Sequence, residues 1–235
     1  MTFPKSRAVF ALMSFAAALA LFLPIPGAAQ TQSFADASAS APKPKILRFS
    51  DGGEDFAFRI TTDAAGNFYL ATTLTGSVHS DSFAVIKYSV DGKRLGVFSF
   101  PVDGGIAADV KVDANSNIYA GGSSAMGGVL VSFSPSGSLR WSHVFADSVS
   151  ALALDQSGNI YAGGTINQTS ILVAKFTADG SPLWQTSHQG ITPRPCGFDG
   201  LTPGNCLTDM KLDNNGNVIA FALAPTLVRT RTTRP

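Results

Sequence analysis

One short phrase is written four times in this chain. It reads Asp63-Ala-Ala-Gly-Asn67-Phe-Tyr69, then Asp113-Ala-Asn-Ser-Asn117-Ile-Tyr119, then Asp155-Gln-Ser-Gly-Asn159-Ile-Tyr161, then Asp213-Asn-Asn-Gly-Asn217-Val-Ile219. The first aspartates recur at intervals of 50, 42 and 58 residues. A phrase repeated at such spacing means one supersecondary unit stacked several times, and units of four strands recur at roughly 40–50 residues. The first two intervals fit that period, and the third requires an insertion.

The phrase has the chemistry of a tight turn. An Asp side chain accepts hydrogen bonds from backbone two residues on, and Gly supplies a positive φ at no steric cost. Gly66, Gly158 and Gly216 take that place, and Ser116 departs from it. Alternating apolar residues flank the turn: Val110 and Val112, Leu152 and Leu154, Met210 and Leu212 before it, Phe68 and Leu70 after it. Period-two alternation on both sides of a turn predicts strand, turn, strand.

A second phrase follows inside each full unit. It is Phe83-Ala-Val-Ile-Lys87-Tyr88-Ser-Val-Asp-Gly92, then Val129-Leu-Val-Ser-Phe133-Ser-Pro-Ser-Gly137, then Ile171-Leu-Val-Ala-Lys175-Phe176-Thr-Ala-Asp-Gly180. The second and third lead into strands that carry Trp141 and Trp184. The first unit has Gly96 at that place, with Phe98 two residues on. The unit is therefore four antiparallel strands, a-b-c-d, with Tyr119, Tyr161, Trp141 and Trp184 as unit-to-unit packing. No segment after residue 45 carries a sustained helical period.

Together the two phrases resemble the β-propeller repeats of secreted bacterial proteins and, more distantly, NHL and quinoprotein-like propeller repeats. The resemblance covers roughly residues 46–223 and rests on architectural positions. It implies an all-β propeller of four-stranded blades. Three are full, at about residues 56–100, 107–145 and 149–188, and a partial fourth spans 207–235. It implies no single activity, because propellers host unrelated ones.

The fourth unit ends differently. Where the third has Ile171-Leu-Val-Ala-Lys-Phe176, the fourth has Arg229-Thr-Arg-Thr-Thr-Arg234. We expect a truncated or frameshifted piece of a longer propeller. The alternative is a small closed ring in which Lys45-Ile-Leu-Arg-Phe-Ser50 returns as the missing outer strand.

The start of the chain has the layout of an export signal over residues 1–29. Lys5 and Arg7 are followed by an apolar run from Ala8 to Leu23 and by small residues ending at Ala29. That run falls short of a membrane span, so none is expected after cleavage. Residues 30–44 are small and polar with two prolines and read as a disordered linker to the repeats at 45–235. A secreted, periplasmic or extracellular location follows.

In such a compartment Cys196 and Cys206 are expected to pair. Both lie in the third interval's insertion, and closing so short a loop is worth ~2–3 kcal/mol. Charge narrows the partners. The net charge is +1, and charged residues are 14% of the chain, without a basic stripe, which argues against nucleic acid.

Catalytic patterns do not assemble. His79, His143 and His188 fall at different places in the repeat, without the spacing of a metal pair. There is no Gly-x-Ser-x-Gly elbow or phosphate loop, and Gly121-Gly122 and Gly163-Gly164 read as close-packing positions. The four repeat aspartates, with Asn67, Asn117, Asn159 and Asn217, read as turn caps, because calcium needs oxygens that converge on one point. Asp109 with Lys111, and Asp209 with Lys211, read as local ion pairs on one strand face.

The expectation is therefore a binding or interaction scaffold without cofactor or catalysis, for a protein or carbohydrate ligand. Loops joining b to c, and d to the next a, should share one face: Gly76–Ser82, Ser123–Gly128, Asn167–Ser170 and the Cys196–Cys206 loop. His79, His188 and Arg194 are the candidate binding residues there. The alternative is a piece of a secreted propeller enzyme of the lyase, lactone hydrolase or quinoprotein type.

Overall fold

The computed structural model describes residues 9–10, 56–76, 79–189 and 206–223, which belong to one compact unit. Three four-stranded antiparallel sheets follow one another. The first is β2 (Phe56–Thr62), β3 (Phe68–Gly76), β4 (His79–Tyr88) and β5 (Arg94–Phe100). The second is β6 (Ile106–Val112), β7 (Ile118–Ser124), β8 (Gly127–Phe133) and β9 (Leu139–Val144). The third is β10 (Ser148–Leu154), β11 (Ile160–Ile166), β12 (Ser170–Phe176) and β13 (Pro182–Gln189). In a fourth, β14 (Cys206–Leu212) pairs with β15 (Val218–Leu223), and the two-residue β1 (Val9–Phe10) adds a parallel bridge at Ile219 and Ala220. β1 lies inside the expected export signal, so a chain cleaved near Gln30 would lack it.

The architecture is that of successive propeller blades, three full and one of two main strands, and among the described residues the sheets do not close into a ring. The Lys45–Ser50 segment, the linker and the Arg229–Arg234 tail lie outside the described residues.

The repeat extends to backbone irregularities. Each inner strand carries a bulge at the same place, between Ala57 and Arg59, Ala107 and Asp109, Val149 and Ala151, and Leu207 and Asp209. A bulge lets the side chains before and after it face the same way. Accordingly Val149 and Leu152 both pack in the seam with the second blade, and Leu207 and Met210 both in the seam with the third. The core is thus not inside a blade but between blades. One cluster joins Tyr69, Phe83 and Val85 to Val110, Ile118 and Val131 of the next sheet, and two more repeat the arrangement along the chain.

Two strands run further than their sequences suggest. β4 begins at His79, with Leu74 opposite Ser82 and Gly76 opposite His79, so the expected loop at Gly76–Ser82 shortens to its first residues. β13 carries the third blade on to Gln189, with His188 opposite Ile171. At His188 a polar, exposed side chain does not end the backbone pairing.

Candidate functional site

Each blade has two ends. The a–b and c–d turns emerge at one, and the b–c and d–a connections at the other. At the turn end the repeated aspartate acts as a clasp. Oδ1 of Asp63 accepts the amides of Ala65 and Asn67, and Oδ2 accepts Asn67 Nδ2 at 2.8 Å and the Tyr69 hydroxyl at 3.0 Å. Asp113 and Asp155 make the same four bonds, the last with Tyr161 at 3.5 Å. Asp213 makes three, because Ile219 stands where the tyrosine would be. Four bonds use the four lone-pair sites of a carboxylate. Ser116 takes φ 61°, the left-handed conformation that glycine takes in the other copies.

A cation completes each clasp that has a tyrosine. Lys87 lies 5.1 Å from the Tyr69 ring centre. Lys175 lies 4.6 Å from that of Tyr161 and pairs with Asp155 at 3.0 Å. In the second blade the lysine is replaced by Ser132, and Arg140 reaches across from β9 to donate to Ser132 Oγ at 2.9 Å and to the Tyr119 hydroxyl at 3.3 Å.

Electrostatics follow from these bonds. Burial pushes the Asp63 and Asp155 pKa values up, but the bonds from Asn67 and Asn159 and their companions outweigh it and hold both below the ordinary carboxylate value. Burial, and then the Asp63 carboxylate, push the Tyr69 pKa up. Lys175 is lifted as well, its hydrogen bonds to Tyr161 and Asp155 overcoming burial.

Inside a blade, small residues recur where the backbone of the first strand crowds the second. A Cβ on Gly122 would lie 1.8 Å from the Ile106 carbonyl oxygen, and one on Gly164 the same distance from that of Ser148. The Asp109–Lys111 pair is present at 2.7 Å, and Asp209–Lys211 at 3.5 Å. Sequence reasoning missed what else Asp109 does. Its Oδ2 accepts the Leu152 amide of the next blade at 2.8 Å, so this buried carboxylate ties two inner strands together. The spacing of Asp109 and Asp209 was the signal, but an inter-blade bond cannot be read from one strand. Trp141 is likewise a seam residue. Its indole N–H donates to the Ala178 carbonyl at 3.2 Å.

His143 also belongs to a seam. Its Nε2 bonds the Gly180 carbonyl oxygen at 2.7 Å, and its ring stacks on Phe176 with 5.0 Å between centres. A rim cleft of about 310 Å³ opens beside it between β9 and β13, lined by His143, Phe145, Phe176, Pro182, Leu183 and Gln185. The sequence shows no sign of it, because its walls come from two blades.

The loop end is built differently. Ala125 N–H donates to the Asp103 carbonyl, Gly128 N–H to that of Ala146, and Gln168 N–H to the Asp147 carboxylate, so the b–c and d–a connections brace one another. Ala146, Asn167 and Gln168 have φ of 66°, 52° and 57°, costly for residues with a side chain. Thr73 and Thr165, equivalent residues of β3 and β11, bury hydroxyls without hydrogen-bond partners. His79 and His188 stand near this end on different blades, the latter exposed. Arg194, Cys196 and the rest of the insertion lie outside the described residues, where only the backbone of Cys206 is seen, opening β14. Among the described residues no three His, Cys, Asp or Glu side chains are grouped to hold a metal ion, and no helix is long and apolar enough to cross a membrane.

The chain matches no protein-family model and no curated protein sequence. Its likeness is to solved structures. A catalytically inactive virginiamycin B lyase from Staphylococcus aureus with quinupristin aligns at TM-score 0.53 and 11% identity, over 76% of this chain and 55% of that one. A Bacteroides caccae protein of unknown function aligns at TM-score 0.45 and 10% identity, over 69% of this chain and 51% of that one. A streptogramin B lyase aligns at TM-score 0.39 and 12% identity, over 77% and 72%. The chain thus spans about half the length of the first two. At these identities the likeness is one of fold, and with the blades described above it identifies a β-propeller architecture.

Proposed function

We propose that this chain is an exported β-propeller repeat scaffold of the secreted bacterial type, which binds a protein or carbohydrate ligand through its loop end and carries out no catalysis. The observation behind this reading is the use of the repeat's own chemistry. The aspartates, asparagines, tyrosines and cations of the repeat contact one another inside each full blade, and Asp109 bonds the next blade. What differs from blade to blade is the strained and braced loop end, and variable loops on a rigid scaffold are where binding sites are carried. In this reading the signal at residues 1–29 is removed and Cys196 bonds Cys206.

A screen of glycans and secreted proteins against the purified chain tests the reading. Binding that falls when Asn167–Thr169 and His188 are replaced together, with the thermal midpoint unchanged, supports it. Mass spectrometry of exported chain should give a terminus near Gln30, and thiol labelling of denatured, unreduced protein should find no free thiol. The likeness to virginiamycin B lyase favours a second reading, a piece of a secreted propeller enzyme. Turnover of quinupristin by the purified chain, or stoichiometric metal lost together with an activity on chelation, would move the assignment there.

A further inference from the structure

Every seam inside the molecule follows one size rule. Each blade offers its successor the eighth residue after the turn aspartate: Ala71, Gly121 and Gly163 in turn. The successor fills that place with the third and sixth residues before its own aspartate. Gly121 receives Val149 and Leu152, so closely that a Cβ on it would lie 2.6 Å from Val149 Cγ1. Gly163 receives Leu207 and Met210, with 2.9 Å to Leu207 Cδ2. Ala71 shares a cluster with Ala107 and Val110. A small acceptor meets a large insert, and a medium acceptor meets a small one.

The two end faces carry the same positions with neither partner seated. On the fourth blade the acceptor is Phe221, 52% exposed, beside Ile219 at 42%. On the first blade the inserts are Ala57 and Ile60, and Ile60 is 64% exposed where Val110, Leu152 and Met210 are at most 1% exposed. The large acceptor Phe221 thus faces a copy of the rule in which the insert is small, Ala57. Hydrogen bonding fits as well. Asp109 accepts the amide of Leu152, and Asp209 is its counterpart on the fourth blade, for which the matching amide is that of Ile60.

We propose that the exposed face of the fourth blade seats the first blade of a second copy of this chain, head to tail. Among the described residues the chain does not seat its own ends. Arg59 Nη2 reaches the Thr208 carbonyl at 2.9 Å within one molecule, so one extended arginine side chain spans from β2 to β14, while Ile60 and Phe221 stay exposed. A head-to-tail contact uses two different patches and can extend into rings or filaments.

Sedimentation velocity of the purified chain across the micromolar range tests this. The expected result is mass rising with concentration beyond a dimer. Ile60→Asp and Phe221→Asp should each weaken association by about 30-fold or more, as loss of a buried apolar anchor does. Mixed together, the two variants should form a dimer that goes no further, since one keeps an intact fourth-blade face and the other an intact first-blade face. Ile60→Ser and Phe221→Ser repeat the test if either aspartate variant fails to fold. Wild-type protein that stays monomeric throughout overturns the proposal in favour of closure within the chain or a different partner. A dimer that stops at two copies, lost in one variant and not restored by mixing, overturns it in favour of a symmetric contact.

Discussion

The two ends of each blade obey opposite economies. At the turn end every strong polar group is answered: the Asp155 carboxylate holds two amides, a carboxamide, a phenol and an ammonium. At the loop end three residues with side chains sit at positive φ, and Thr73 and Thr165 bury unanswered hydroxyls. The turn end repeats because it sets where each hairpin turns and how its strands pair. The loop end varies because seam packing has already positioned the blades. Repeated chemistry in this chain therefore marks stability, and most of the local cost lies at the end that varies.

That contrast can be broken most directly at Asp155. Asp155→Ala removes the acceptor for five donors, and we expect a loss of about 3 kcal/mol, a fall of roughly 6–12 °C in thermal midpoint. Asp213→Ala, with three donors and no tyrosine, should cost less than half of that. Calorimetry on the two variants decides it, and equal losses would mean the tyrosine and lysine contribute nothing.

Acid should act on the same groups. Asp63, Asp155 and Asp213 have folded pKa values below the ordinary carboxylate value. Their contribution is complete above the unfolded value of about 3.9 and is lost as pH falls through the lower folded values. Unfolding followed from pH 6 downward should stay flat to about pH 4 and then steepen. The steepening should be weaker in Asp155→Ala.

Smaller effects sharpen the comparison. Ser116→Gly relieves a left-handed serine and should stabilise by about 1 kcal/mol, measured by denaturant midpoint. Thr165→Val replaces a buried unanswered hydroxyl with a methyl of similar size and should be neutral or stabilising by up to about 1 kcal/mol. A comparable loss of stability would show that a hidden partner answers that hydroxyl. His188→Ala, at an exposed position of the loop end, should leave stability within about 0.5 kcal/mol of wild type.

Much of the blade was legible before any coordinates. The Asp-x-x-Gly-Asn phrase specifies its turn because the bonds it makes span at most six residues. The alternating apolar residues located the paired strands for the same reason of short range. Strand ends were less legible. Ser82 and His188 are polar, yet their backbones pair opposite Leu74 and Ile171, because pairing depends on the neighbouring strand and not on the side chain.

The candidate site divides the same way. His143 looked like an isolated residue until the next blade supplied Phe176 and the Gly180 carbonyl. The exchange of a lysine at Ser132 for Arg140 is invisible in one strand, since the cation arrives from the strand beside it. By itself the sequence determined the repeat, the turn chemistry and the all-β blade, because each rests on contacts a few residues apart. Only the tertiary structure decided which carboxylate bridges two blades, which aromatic rings form the seams and which apolar faces remain uncovered. Those depend on surfaces from neighbouring blades meeting about 40 residues or more apart in sequence, where no local pattern constrains them.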